Sequence, residues 1–173
     1  REVAPLNLPN YDDWVLREAL HNCVAHQDYT QGGRILVTEG PDTLRFFNYG
    51  EFLPGSLDKV LHAQQPEQRY RNACLADAMV ELDLMETLNR GVKGMFRKQK
   101  ERFFPLPDYD IAGQPASVSV MLYGRVLDKG YVDALMTNSD LSLEDAVLLD
   151  QIQKGRKPPA CELRRLRAKG LVE

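Results

Sequence analysis

A chain of 173 residues with 43% hydrophobic and 27% charged side chains is long enough for one good-sized core, or one core with a small satellite. Its net charge of -3 excludes a simple polycation, no apolar run approaches the roughly 18 residues of a membrane span, and no signal-peptide pattern opens it. Cys23, Cys74 and Cys161 are scattered without a C-x-x-C pair, so neither a zinc site nor a disulfide framework is suggested and a cytoplasmic location is expected; a chain that starts without Met and stops at GLVE reads as a piece of something longer.

In chain order, REVAPLNLPNYDD is an extended entry and a helix is expected from about Asp12 to Gln27, with Leu16, Ala19, Leu20, Cys23 and Val24 as its apolar stripe. QGGRILVTEGPDTLRFFNYG predicts a hairpin: Ile35 and Val37 alternate, Pro41-Asp42 marks the turn, and Leu44 and Phe46 alternate again. A loop follows with one short helix capped by Ser56. RYRNACLADAMVELDLM and ETLNRGVKGMFRKQKERF predict two helices, the second with Leu88, Val92, Met95 and Phe96 at helical spacing. FFPLPDYDIAGQPASVSVMLYG returns to strands, with Val118, Val120 and Leu122 pointing one way. The first 124 residues thus predict an α+β layer with helices on one face of an antiparallel sheet.

From Arg125 the pattern is all helix. VLDKGYVDALMTN is one; SLEDAVLLDQIQKG is a second, with a capping-box-like Ser142 and Asp145 at its start and Gly155 at its end. PPACELRRLRAKG is a third, with Pro159 near its first turn and Gly170 at its stop. Two domains are expected, 1–124 and 125–173.

The stretch REALHNCVAHQDY carries the most chemistry. Asn and His are mediocre helix formers, yet Glu18, Asn22 and His26 recur at intervals of four beside the apolar stripe, about one turn apart on a single face. That face is either solvated or a row of ligands along a cleft.

This stretch resembles the signature of the family named after the RecG helicase C-terminus, which belongs to the GHKL ATPases. FFNYGEFLPGS, YRNACLADAMVELDLMET, RFFPLPDYDI and LYGRVLD resemble a subgroup of bacterial proteins in which such a domain follows an AlbA-like (Schlafen-type) domain, and LLDQIQKG with LRAKGLVE resembles that subgroup's winged helix. The resemblance implies a two-layer α/β sandwich of GHKL type followed by a three-helix, wing-truncated winged helix-turn-helix segment, in a transcriptional regulator. It implies Glu18 as the base that orients or activates the attacking water, Asn22 holding Mg²⁺ through its side-chain oxygen against the phosphates of ATP, and His26 and Asp28 orienting groups at the helix end. A hard oxygen ligand and a base on one helix face suit that chemistry. The adenine-binding stretch corresponds to Asn48-Tyr49-Gly50-Glu51, where Asn48 replaces the family's Asp and Glu51 a glycine. The phosphate lid corresponds to Asn89-Arg90-Gly91, one glycine poorer than the pattern but with Arg90 as a compensating cation. These departures imply weak nucleotide binding, with slow or absent turnover.

Two basic clusters stand apart. Arg97, Lys98, Lys100 and Arg102 close a helix, where cations suit the dipole. From Gln151 to Glu173 seven lysines and arginines face two glutamates, a local net of +5. Arg164, Arg165, Arg167 and Lys169 surround an inward-facing Leu163 and Leu166 on the last helix, the recognition position of a helix-turn-helix, where basic side chains meet phosphates. Three functions follow: a DNA-binding regulator with a degenerate ATPase-like module, which is preferred; a working Mg-dependent ATPase; and a scaffold for self-association into a homo-oligomer without nucleotide.

Overall fold

Helix α1, Asp13–His26, begins where Asp12 turns its carboxylate onto the amides of Trp14 and Val15, at 3.0 and 3.1 Å, pairing two N–H groups that a first turn leaves open. The computed structural model describes residues 10–64, 69–85, 91–138 and 140–172. Within them lie seven α-helices and four strands, an α+β fold.

The expected hairpin is formed by β1, Leu36–Glu39, and β2, Thr43–Tyr49; β3, Asp108–Asp110, and β4, Ser117–Tyr123, complete a sheet of order β1-β2-β4-β3 that is antiparallel throughout. The register pairs Leu44 with Leu122, Phe46 with Val120 and Asn48 with Val118. Because side chains alternate along a strand, these six share one face. Helices α1 and α4, Gly91–Glu101, cover it: Val15, Ala19, Cys23 and Met95 pack on Phe46, Val118, Val120 and Leu122. Fully burying an apolar side chain of this kind contributes about 1.5–3 kcal/mol. The stripe on α1 is rotated from the expected one. Val15, Ala19 and Cys23 form the seam, 1–2% exposed, while Leu20 is 40% exposed; small Ala19 and Cys23 let the helix lie close to the sheet. The expected start of the α4 helix, including Leu88, Asn89 and Arg90, lies outside the described residues.

A second core forms around the other side of α4. Met95 is buried against the sheet and the adjacent Phe96 against helices. Phe96 meets Leu61 of α2 (Leu57–His62), Leu106, Tyr131 and Leu135 of α5 (Lys129–Thr137), Leu149 of α6 (Leu143–Gln153) and Leu166 of α7 (Ala160–Ala168) in one cluster. The three C-terminal helices appear where expected, and no strand follows Tyr123 among the described residues. Their hydrophobic core is nonetheless continuous with α2 and α4. A buried ionic junction adds to it. Lys154 binds Asp150 at 2.7 Å, Asp108 of β3 at 3.2 Å and the Leu106 carbonyl at 2.6 Å, and sits over the Tyr123 ring.

The expected caps are present. Ser56 accepts from the Lys59 amide and Ser142 from the Asp145 amide. Only half of the capping box forms at α6, because the Asp145 carboxylate is taken by Lys169 and Arg165 of α7. A third small cluster docks α3, Ala73–Glu81, on the end of α1 through Ala25, Ala76, Met79 and Met85. No helix among the described residues is long and apolar enough to cross a membrane.

Candidate functional site

Glu18 and Asn22 form a single hydrogen-bonded unit on α1. The Asn22 side-chain nitrogen donates to the Glu18 backbone carbonyl at 2.7 Å and to Glu18 Oε1 at 2.9 Å. With the amide nitrogen engaged on Glu18, the Asn22 oxygen lies on the opposite side of the planar group, available as an acceptor or ligand. Glu18 itself is only 9% exposed. Gly91, at the start of α4, adjoins it: a Cβ there would stand 3.7 Å from Glu18 Oε1. The fold therefore brings the end of the lid-like stretch to Glu18. Arg90, expected beside it, lies outside the described residues.

His26 lies two turns further on. Its ring is 5.5 Å from that of Tyr70, tilted by 33°. Burial, and secondarily the Arg71 charge, push its pKa down to about 4, so the imidazole is neutral at pH 7. The Tyr70 hydroxyl is pushed up by burial and then by the Glu18 carboxylate, which puts Tyr70 in electrostatic reach of one end of the α1 row while its ring contacts the other. Asp28 has a local role. Its carboxylate accepts from the Thr30 amide and hydroxyl and from Gln31, at 3.1, 2.6 and 2.9 Å, and the Thr30 and Gln31 side-chain bonds hold its pKa below the ordinary carboxylate value. It caps a three-residue 3-10 turn, and its own amide binds the Tyr49 carbonyl at 2.8 Å.

Asn48 and Gly50 sit where β2 ends beside His26. Asn48 is 4% exposed and donates to the Tyr49 carbonyl at 3.0 Å, which leaves its side-chain oxygen as acceptor. Gly50 has φ +119 and donates to the Ala116 carbonyl. A Cβ on Gly50 would come within 3.0 Å of Arg71 Nε and 3.1 Å of the His26 carbonyl; only glycine allows so close an approach in that backbone region.

Sequence reasoning missed the wall opposite α1, made by Tyr70, Arg71 and Asn72. Asn72 caps the end of α1 by donating to the Ala25 and Gln27 carbonyls at 3.1 and 2.8 Å. Gln27, also missed, is 1% exposed and bridges the Gly33 carbonyl and the Tyr49 amide. Arg71 reaches the Glu51 carbonyl at 3.3 Å, while its Nε is buried without a hydrogen-bond partner among the described residues. YRN in front of a helix pattern gave no sign of this, because the segment acquires its place only by docking on α1.

These groups suit a nucleotide better than a bare metal. Among the described residues no cluster of three or more His, Cys, Asp or Glu could hold an ion alone. Asn22 offers one hard oxygen, and Mg²⁺ wants six, usually completed by phosphates and water. An unpartnered guanidinium N–H beside a glycine, and an amide acceptor on Asn48, are the kinds of group that meet a base or ribose.

On α7, Arg165 lies 3.2 Å from both Asp145 and Glu162, and Lys169 2.5 Å from Asp145. Burial works to raise the Asp145 carboxyl, but the Lys169 and Ser142 hydrogen bonds and the nearby cations overcome it and hold it below the usual range. Two of the four cations expected at DNA thus also fasten α7 to α6. Arg164 and Arg167 are exposed.

A family model described as "Putative ATP-dependent DNA helicase recG C-terminal" matches residues 32–122, just over half of the chain. The chain belongs to this family. The RecG C-terminal-type match spans the sheet up to Leu122 of β4, together with Asn48, Gly50, the Tyr70–Asn72 wall and Gly91; α1 precedes it and the C-terminal helices follow it. No curated protein and no solved structure matches the chain.

Proposed function

We propose that this RecG C-terminal-type chain is part of a bacterial transcriptional regulator, in which a degenerate ATP-binding-like module is coupled to a winged-helix-type segment, 125–173, that contacts DNA. The observation that carries the nucleotide part is the Glu18–Asn22 unit, with Gly91 at one end of the α1 face and Asn48, Gly50 and Arg71 at the other. Eight residues of helix separate Glu18 from His26, on the order of 12 Å, a span that a nucleoside polyphosphate can bridge. Asn22 would supply an oxygen to Mg²⁺ and Glu18 a carboxylate near the phosphates; bound Mg-ATP would supply a phosphoanhydride and the metal's remaining ligands. His26 is neutral at pH 7 and gives the phosphates no charge. Asn48 offers the base a neutral acceptor in place of a carboxylate, and Glu51 adds no phosphate donor. Binding in the micromolar range or weaker, with slow or absent turnover, follows.

The DNA part rests on the local net of +5 and on α7, with Arg164 and Arg167 turned to solvent. The acidic remainder of the chain opposes a polyanion, so this chain alone should bind DNA no tighter than the roughly 10⁻⁴–10⁻⁶ M of non-specific contacts. Calorimetric titration of Mg-ATP into the wild type, Asn22→Ala and Glu18→Ala, with phosphate release followed in parallel, tests the reading. Weak binding that Asn22→Ala abolishes supports it; robust turnover indifferent to both substitutions puts the site elsewhere.

A further inference from the structure

Arg71 is held in a place that its chemistry does not explain. Its Nε–H is buried with no acceptor among the described residues, and a buried donor left unmet is costly, more so when the group is charged. Its hydrogen bond to the Glu51 carbonyl is long at 3.3 Å. The guanidinium lies against Gly50, whose missing Cβ makes the room. Two residues before Gly50, near the end of β2, Asn48 presents a side-chain oxygen whose amide nitrogen is already engaged on the Tyr49 carbonyl. A donor that has no acceptor among the described residues and an amide oxygen therefore stand at one strand end, beside the neutral ring of His26 and the ring of Tyr70.

We infer that Arg71 is the base-reading residue of the nucleotide site: its guanidinium donates to a ring nitrogen of adenine while Asn48 accepts from the exocyclic amino group. This rests on the nucleotide reading above. The edge of adenine offers that complement, an acceptor nitrogen next to an N–H₂ donor. Reaching it takes a rotation of the Arg71 side chain away from Gly50. That rotation releases the unpaired N–H, so ligand binding removes a defect of the free protein. Glycine at position 50 is then needed twice: for its backbone, and as the resting place of Arg71.

The test is calorimetry on the whole chain with Mg-ATP, adenosine and tripolyphosphate, for the wild type, Arg71→Met and Arg71→Lys. Hydrogen bonds to charged groups contribute about 1.5–3 kcal/mol, so Arg71→Met should weaken ATP and adenosine alike by roughly tenfold to hundredfold. It should leave tripolyphosphate unchanged. Arg71→Lys, which keeps the charge but loses the planar donor fork, should recover little. Thermal unfolding of each variant checks that the fold is kept. A loss confined to ATP and tripolyphosphate would make Arg71 a phosphate ligand and overturn the base assignment. Unchanged affinity for all three would make it structural. A wild type that binds none of the three would overturn the nucleotide reading itself.

Discussion

Asn22 ties its side-chain nitrogen to two oxygens of one residue, the carbonyl and the carboxylate of Glu18, at 2.7 and 2.9 Å. The spacing of four that marks the pair in the sequence is thus a physical bond, and it orients both groups before any ligand arrives. Removing the nitrogen should be costly, because Glu18 is largely buried. Asn22→Leu should destabilise the chain by about 1–3 kcal/mol, the cost of an acceptor left short of its donor, read from urea unfolding. Glu18→Gln, which keeps an acceptor oxygen for Asn22, should cost less.

The His26 ring predicts a pH dependence. Its folded pKa of about 4 lies below the ordinary 6.5 because the ring is buried and Arg71 is near. As pH falls, the unfolded chain takes up the proton first. The stabilisation from keeping His26 neutral is therefore complete above about pH 6.5 and lost as pH falls from there towards 4. The loss is on the order of 2 kcal/mol once the partial exposure of the ring is allowed for. Unfolding free energies between pH 7 and 4.5 should show a shallower acid slope for His26→Gln than for the wild type. His21, also lowered by burial and then by Arg17, leaves part of the slope in place.

The junction at Lys154 predicts a large effect remote from the site. Its side chain is 4% exposed and serves Asp150, Asp108 and the Leu106 carbonyl together. Lys154→Met leaves the buried Asp150 short of its cation, while Asp108 keeps Arg156 at 2.8 Å, and should cost about 3–5 kcal/mol. The pair Lys154→Met with Asp150→Leu should recover part of that, measured by urea unfolding.

Arg164 is the cleanest probe of DNA contact. It is exposed, whereas Arg165 and Lys169 also neutralise the buried Asp145. In the full-length protein, Arg164→Ala should weaken binding on all sequences and reduce the salt slope by about 1. Arg165→Ala and Lys169→Ala should lower thermal stability as well. An unchanged slope for Arg164→Ala would leave α7 a solvated basic surface and favour the self-association scaffold.

What was legible in the sequence was local. Alternation around Pro41-Asp42 gave the hairpin, Ser56 and Ser142 gave helix starts, and the spacing of four gave the Glu18–Asn22 unit. The stripe expected on α1 included Ala19 and Cys23 of the seam but missed Val15 and took in Leu20, which is 40% exposed, because hydrophobicity alone does not fix how a helix is rotated on a sheet. Asp28 stood out by its place in a motif, and the structure shows its carboxylate accepting from Thr30 and Gln31 at a local turn. Arg71 and Lys154 were silent. Arg71 meets Gly50 and Glu51 across about twenty residues and Lys154 meets Asp108 across 46, separations at which no periodicity carries a signal.

The central claim, that nucleotide lies along the α1 face, is tested most directly by NMR of the chain with a non-hydrolysable ATP analogue and Mn²⁺ in place of Mg²⁺. Paramagnetic broadening should centre on Glu18, Asn22 and Gly91, with diamagnetic Mg²⁺ shifts spreading to His26, Asn48, Gly50 and Arg71. Broadening that spares Asn22, or that centres on the roughly 730 Å³ groove lined by Tyr131, Ile152 and Leu163, would contradict the account.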